Sequence, residues 1–206
     1  MNEKLLVENL EKYIPAKAIP FVVKHLCAQD TLLKITPKRK RVEATYSSPR
    51  LPLNRHTITI NNDLNEYAFL FTLMHEIAHM KVRIAHQHKP TPKPHGYEWK
   101  SIFSTILLEI MDCFPSDIII AIENHIQDVA AATCRDKNLY KTFRQYDKET
   151  AIYLDDIPIL SFFKIKGDIH TFQKISKIRK NFMCIEISSK LRYRVSGLAI
   201  VEKIDA

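Results

Sequence analysis

Residues 66–85 read EYAFLFTLMHEIAHMKVRIA, and the reading of this run decides the fold. Its first half, Tyr67 to Met74, is apolar in every direction, which predicts a helix enclosed by other elements rather than one lying on a surface. Asn61 to Asn65 supply turn and capping residues ahead of it, with Asp63 or Asn65 as the expected N-cap. The helix is expected to run from Glu66 to about Ala85. His75, Glu76 and His79 stand in its middle. Three polar side chains inside an apolar helix are costly unless they are paired or bind a metal.

The spacing supplies the reason. Residues four apart on an α-helix return to nearly the same face, about 6 Å further along the axis. His75 and His79 can therefore converge on one Zn²⁺ at roughly 2.0–2.1 Å each. Zinc contributes Lewis acidity and lowers the pKa of a coordinated water towards about 7. Glu76, beside the first histidine, is placed to take a proton as that water attacks a carbonyl and to return it to the leaving amine. The expected activity is that of a zinc metalloendopeptidase with one Zn²⁺ per chain and Glu76 as general base, acting on a protein or peptide substrate.

A catalytic zinc usually takes three protein ligands and leaves one position open, so a third is needed. His86 follows His79 by about 10.5 Å along the axis and cannot reach the same ion while the helix continues. The metzincin pattern would require a histidine where Ala85 stands and a glycine at Val82, and is excluded. His88 lies in a proline-punctuated stretch with nothing to position it. His95 is favoured: it follows Pro90, Pro92 and Pro94 and opens a second helical pattern, Tyr97 to Asp112. Gly96, one of only 3 glycines, follows it directly, which points to a turn or close approach that a side chain would obstruct. Glu98 is the rival, as a carboxylate ligand on the same segment.

Working outward, Leu5–Ile14 and Ile19–Ala28 carry helical periodicity around Pro15 and Pro20. Leu33–Thr36 and Val42–Tyr46 read as a hairpin around a basic turn, Lys38-Arg39-Lys40-Arg41, and His56–Asn61 as a third, strictly alternating strand. That third strand, immediately before the metal helix, is the one expected to align a substrate backbone by strand addition. Pro115–Ile126 and Lys137–Tyr146 read as further helices. From Phe162 onwards the pattern changes to short strands separated by Gly167-Asp168, Ser188-Ser189 and Ser196-Gly197. The expected fold is α+β: helices with a small antiparallel sheet over 1–150, then a small all-β meander over 151–206.

The pattern His75-Glu76-x-x-His79 followed by His95-Gly96-Tyr97-Glu98-Trp99 resembles the SprT-like family of zinc metallopeptidases. The resemblance covers roughly residues 1–147. It implies a zincin-like domain, His75, His79 and His95 as the zinc ligands, Glu76 as base, and Trp99 as a packing residue that fixes the ligand helix. Some relatives are DNA-dependent proteases that degrade proteins crosslinked to DNA, so it also implies DNA as a partner. Many carry a C-terminal ribbon with paired cysteines; here Cys134 and Cys184 stand alone, and the β-tail takes the ribbon's place.

Composition sets the remaining expectations. The 206 residues carry a net charge of +8, which suits an anionic partner. In 151–206, Lys164, Lys166, Lys174, Lys177, Arg179, Lys180, Lys190, Arg192, Arg194 and Lys203 stand against six acids, with Phe182 and Tyr193 among them, a mixture suited to stacking and phosphate contact. The alternative to a protease is therefore a nucleic-acid-binding protein with a mainly structural zinc. The 4 cysteines form no C-x-x-C pair, and no apolar run suits a membrane span or an export signal. The expectation is a cytoplasmic protein with reduced thiols.

Overall fold

The computed structural model describes residues 3–39, 42–49, 54–87, 92–127, 136–149 and 151–204. His88, Lys40, Arg41 and Cys134 lie outside the described residues. The chain divides into two compact units, Met1–Lys148 and Glu149–Ala206. No described helix is long and apolar enough to cross a membrane.

The first unit opens with α1 (Glu3–Leu10) and α2 (Ile19–Ala28), the latter started by Pro20 in its first turn. Three strands follow: β1 (Leu32–Thr36), β2 (Ala44–Ser47) and β3 (Thr57–Asn61). Then come α3 (Glu66–Ala85), α4 (Tyr97–Glu109), α5 (Ser116–Gln127) and α6 (Lys137–Arg144). α3 keeps the bounds expected of it. Asn65 is its N-cap, accepting from the Ala68 N–H at 3.0 Å, while its own amide donates to the Phe143 carbonyl and to Asp147 Oδ1. One residue thus satisfies an orphan amide of α3 and ties α6 to its start. α4 stops three residues short of the expected Asp112, and Met111–Cys113 tighten into a 3₁₀ turn before Pro115.

The sheet differs from expectation. The hairpin read over 31–46 does not form, because β3 inserts between its arms: the order is β1-β3-β2, with β3 parallel to β1 and antiparallel to β2. The sheet is therefore mixed rather than antiparallel. Burial explains the order, since Ile58 and Ile60 of β3 are fully buried while β1 and β2 are only half-covered. Arg39 holds the arrangement from the connection after β1. Its guanidinium donates to Asn61 Oδ1 at 2.8 Å, Thr59 Oγ1 at 2.9 Å and the Glu43 carbonyl at 3.1 Å. The expected solvated basic turn thus spends one of its cations on a structural anchor.

The core of the first unit surrounds α3 and draws on β3 and on all the other helices. Phe69 to Met74 are all buried, as the all-round apolar pattern requires. Phe71 meets Phe103 of α4 and Phe143 of α6 at ring centroids of 5.2 and 5.1 Å, so one side chain of the metal helix ties it to both.

The second unit is a five-stranded antiparallel sheet of β4 (Phe162–Ile165), β5 (Thr171–Ile178), β6 (Asn181–Glu186), β7 (Arg192–Ser196) and β8 (Val201–Ile204). Four strands run as the expected meander, but β8 returns to pair with β4, giving the order β7-β6-β5-β4-β8. Two residues grouped with the surface cations belong to its interior. Phe182 is buried, and Lys174 places its ammonium 3.8 Å above the Phe182 ring. Lys174 also donates to the Leu154 and Ile157 carbonyls at 2.7 and 2.6 Å. A register shift between Lys174 and Ser176 accompanies this inward lysine. Neither residue is available for stacking or phosphate contact.

Candidate metal centre

α3 and the start of α4 build the site. His75 and His79 lie one turn apart on α3, and α4 packs against it. The Nε2 atoms of His75, His79 and His95 form a triangle with sides of 3.0, 3.2 and 3.2 Å. Each ring nitrogen has a single in-plane position, occupied by either a hydrogen or a lone pair. Three such nitrogens facing one point cannot all satisfy one another. A cation at that point accepts all three lone pairs. A tetrahedral ion with bonds of roughly 2.0–2.1 Å holds its nitrogens about 3.3 Å apart, so the triangle needs almost no adjustment. The three histidines form the one group among the described residues that can hold a metal ion.

His95 reaches the site through a strained turn. It has φ of +58°, the left-handed region that most residues avoid, and Gly96 follows as the N-cap of α4. The Gly96 N–H donates to the Lys93 carbonyl at 2.9 Å, and a Cβ on Gly96 would meet that oxygen at 2.8 Å. The close approach expected from this scarce glycine is present. The rivals are elsewhere: Glu98 is exposed and outside the group, and His86 donates to the Val82 carbonyl at 3.0 Å at the end of its own helix.

Trp99 forms the floor. It is 1% exposed, and its ring centroid lies 4.6 Å from His75, 5.3 Å from His79 and 4.7 Å from His95. Phe103 stacks beneath it at 4.7 Å. Burial keeps the imidazoles of His75 and His79 neutral. Burial, aided by the neighbouring His79, His95 and His125, pulls His75 down to about 3, and burial with His95 pulls His79 down to about 4. Neutral imidazoles are the form that ligates metals.

Glu76 is 7% exposed, and burial pushes its carboxyl up to about 7. Two neighbours act in the opposite direction: a backbone hydrogen bond from Tyr46 on β2 and the charge of Arg39. Sequence reasoning missed both, because neither follows from spacing along α3. It also missed His125, 1% exposed on α5, whose Nδ1 lies 3.1 Å from Asp136 and whose ring packs on Phe71 and Phe103 behind His75. A lone histidine on an amphipathic helix carries no motif that would have singled it out. Comparison of the chain with protein-family models, curated proteins and solved structures finds no match.

Proposed function

We propose that the protein is a zinc-dependent peptidase in which His75, His79 and His95 hold one Zn²⁺ per chain and Glu76 is the general base. The convergence of three imidazole nitrogens within 3.2 Å of one another, beside a buried glutamate, carries this reading. Three imidazoles are a donor set that suits zinc, and the absence of a fourth ligand among the described residues favours a catalytic over a structural ion. Bound zinc supplies Lewis acidity and a more acidic water. Glu76 accepts the proton of the attacking water and delivers it to the departing amine nitrogen. The match to the SprT-like pattern through His95-Gly96 and Trp99 supports the same roles.

The strand that aligns substrate is β2 rather than β3. β3 is paired on both sides, whereas β2 is an edge strand whose Tyr46 backbone already touches Glu76. An extended peptide adding to that edge lies next to the base. The exposed cations of the tail, among them Arg192 and Arg194, extend the proposal to substrates associated with DNA.

The test is cleavage of β-casein by zinc-loaded protein, with and without single- and double-stranded DNA and with 1,10-phenanthroline as control. Zinc-dependent cleavage is expected, accelerated by DNA in a manner that falls steeply with salt. No cleavage in any arm rejects the peptidase, and indifference to DNA rejects the nucleic-acid partner alone.

Proton competition for the metal follows from the same burial. Free imidazoles protonate near 6.5, but His75 and His79 stay neutral down to about 3 and about 4. Zinc is therefore expected to survive dialysis at pH 5.5 and to leave only on further acidification. Zinc content measured by atomic absorption checks this, and a release midpoint near 6.5 contradicts it.

A further inference from the structure

We infer that Tyr46 is a second catalytic residue, whose phenol donates a hydrogen bond to the scissile carbonyl oxygen as negative charge builds there, and that His56 positions it. The inference rests on the peptidase reading and assigns the group that reading leaves unnamed.

Strand register places Tyr46 at the site. The Asn61 N–H donates to the Glu43 carbonyl at 2.9 Å, and the pairing then runs Ala44 to Ile60, Thr45 to Thr59 and Tyr46 to Ile58. In an antiparallel pair, hydrogen-bonded and non-bonded positions alternate. Residues 43, 45 and 47 therefore bond inward to β3, and Ala44 and Tyr46 turn their backbone groups to the open edge. The outward N–H of Tyr46 is the one that Glu76 uses. Tyr46 is thus in direct contact with the general base through its backbone.

Its ring points onto α3. Ala44 and Tyr46 share one face of β2, and both pack against the core that α3 dominates. His75, His79 and Arg83 follow one another at intervals of four residues, so Arg83 continues the metal face about one turn beyond His79. The charge of Arg83 acts on both Tyr46 and His56. Tyr46 therefore touches Glu76 through its backbone, belongs to the strand packed against α3, and lies within electrostatic reach of Arg83.

The phenol is held for donation. Tyr46 Oη lies 2.8 Å from His56 Nδ1, and the two rings stack at 5.8 Å. With its hydrogen on Nδ1, the imidazole donates to the phenolic oxygen and leaves the phenolic hydrogen free for a substrate oxygen. Glu76 is an acceptor during attack and cannot fill this role. Arg83 adds positive charge to the same region. A donor aimed at a developing oxyanion typically contributes about 10²–10³ in kcat.

The test uses the zinc-loaded full chain and a phosphinic tetra-alanine peptide, whose tetrahedral anion mimics the charge of the reaction's high point. Calorimetry is expected to show Tyr46→Phe binding it at least about tenfold more weakly, with zinc content unchanged. His56→Leu is expected to weaken it as well, and His56→Asn, which keeps a donor near Nδ1, to recover most of the loss. In β-casein cleavage, Tyr46→Phe is expected to lower kcat about 10²–10³-fold with KM unchanged. Phosphinate binding that is equal in wild type and Tyr46→Phe, or absent from both, overturns the assignment. If wild type cleaves while that binding is unchanged, only the Tyr46 role falls; if wild type cleaves no faster than Glu76→Gln, the peptidase reading and this role fall together.

Discussion

Glu76→Gln is expected to reduce peptide hydrolysis by about 10³-fold or more while one zinc per chain stays bound; a general base typically contributes about 10²–10⁴. The amide has nearly the shape of the carboxylate and can still accept the hydrogen bond from the Tyr46 backbone, so β2 keeps its place against α3. It cannot accept a proton from water. The metal site is untouched, because Glu76 contributes no atom to the nitrogen triangle. Activity retained within tenfold, or zinc lost with the side chain, removes Glu76 from its role.

The same variant makes a second, independent statement about stability. In the metal-free protein burial raises the Glu76 carboxyl from 4.5 to about 7. The folded state then holds its proton more tightly than the unfolded chain does. Its stabilising effect is fully present below pH 4.5 and is lost as the pH rises through 7. Glu76→Gln has no such loss, so metal-free variant and wild type are expected to diverge as the pH rises from 4.5 to about 7 and to stay apart above it, with the variant melting higher. Bound zinc lowers the Glu76 carboxyl by its charge and is expected to shrink the difference. Loss of activity together with a gain in metal-free stability is a combination that a merely structural glutamate would not produce.

The parts of this molecule legible in its sequence are those in which cause and effect lie within one helix or one turn. α3 could be bounded from its capping residues, Asp63 or Asn65, and its apolar run, His75 and His79 from the four-residue period, and the turn at Gly96 from the scarcity of glycine. Strand order was not legible. Whether β3 pairs beside its neighbour or slips between two earlier strands depends on which strand best fills the centre, and Ile58 and Ile60 settle that only once α3 is in place. Arg39 and Lys174 show the same limit for charges. Each reads as a solvated cation among others, yet one anchors the end of the central strand β3 and the other sits inside the second unit on two carbonyls. A period of two or of 3.6 residues carries no information about which cation the fold turns inward. Tyr46 illustrates the consequence for function: its contact with Glu76 arises from register, which the alternation along β2 leaves undetermined.

His95 tests whether the centre depends on α4, because it is the one ligand that α3 does not supply. His95→Ala is expected to lower zinc affinity well beyond the roughly 10–100-fold that loss of a mere supporting partner costs. Two imidazoles four residues apart remain, but a two-coordinate protein site lacks the third nitrogen that closes the triangle at 3.0 and 3.2 Å. Relief of the left-handed backbone does not follow from the change, since alanine at φ of +58° is no more comfortable than histidine. The loss therefore reports the missing ligand rather than a refolded turn. Glu98→Ala is the matched control. It removes an exposed carboxylate two residues into α4, the alternative ligand on the same segment, and is expected to leave zinc at one per chain. Competition with a chromophoric chelator measures both affinities. If Glu98→Ala loses zinc and His95→Ala keeps it, the carboxylate is the third ligand and the centre belongs to a different class of site from the one proposed.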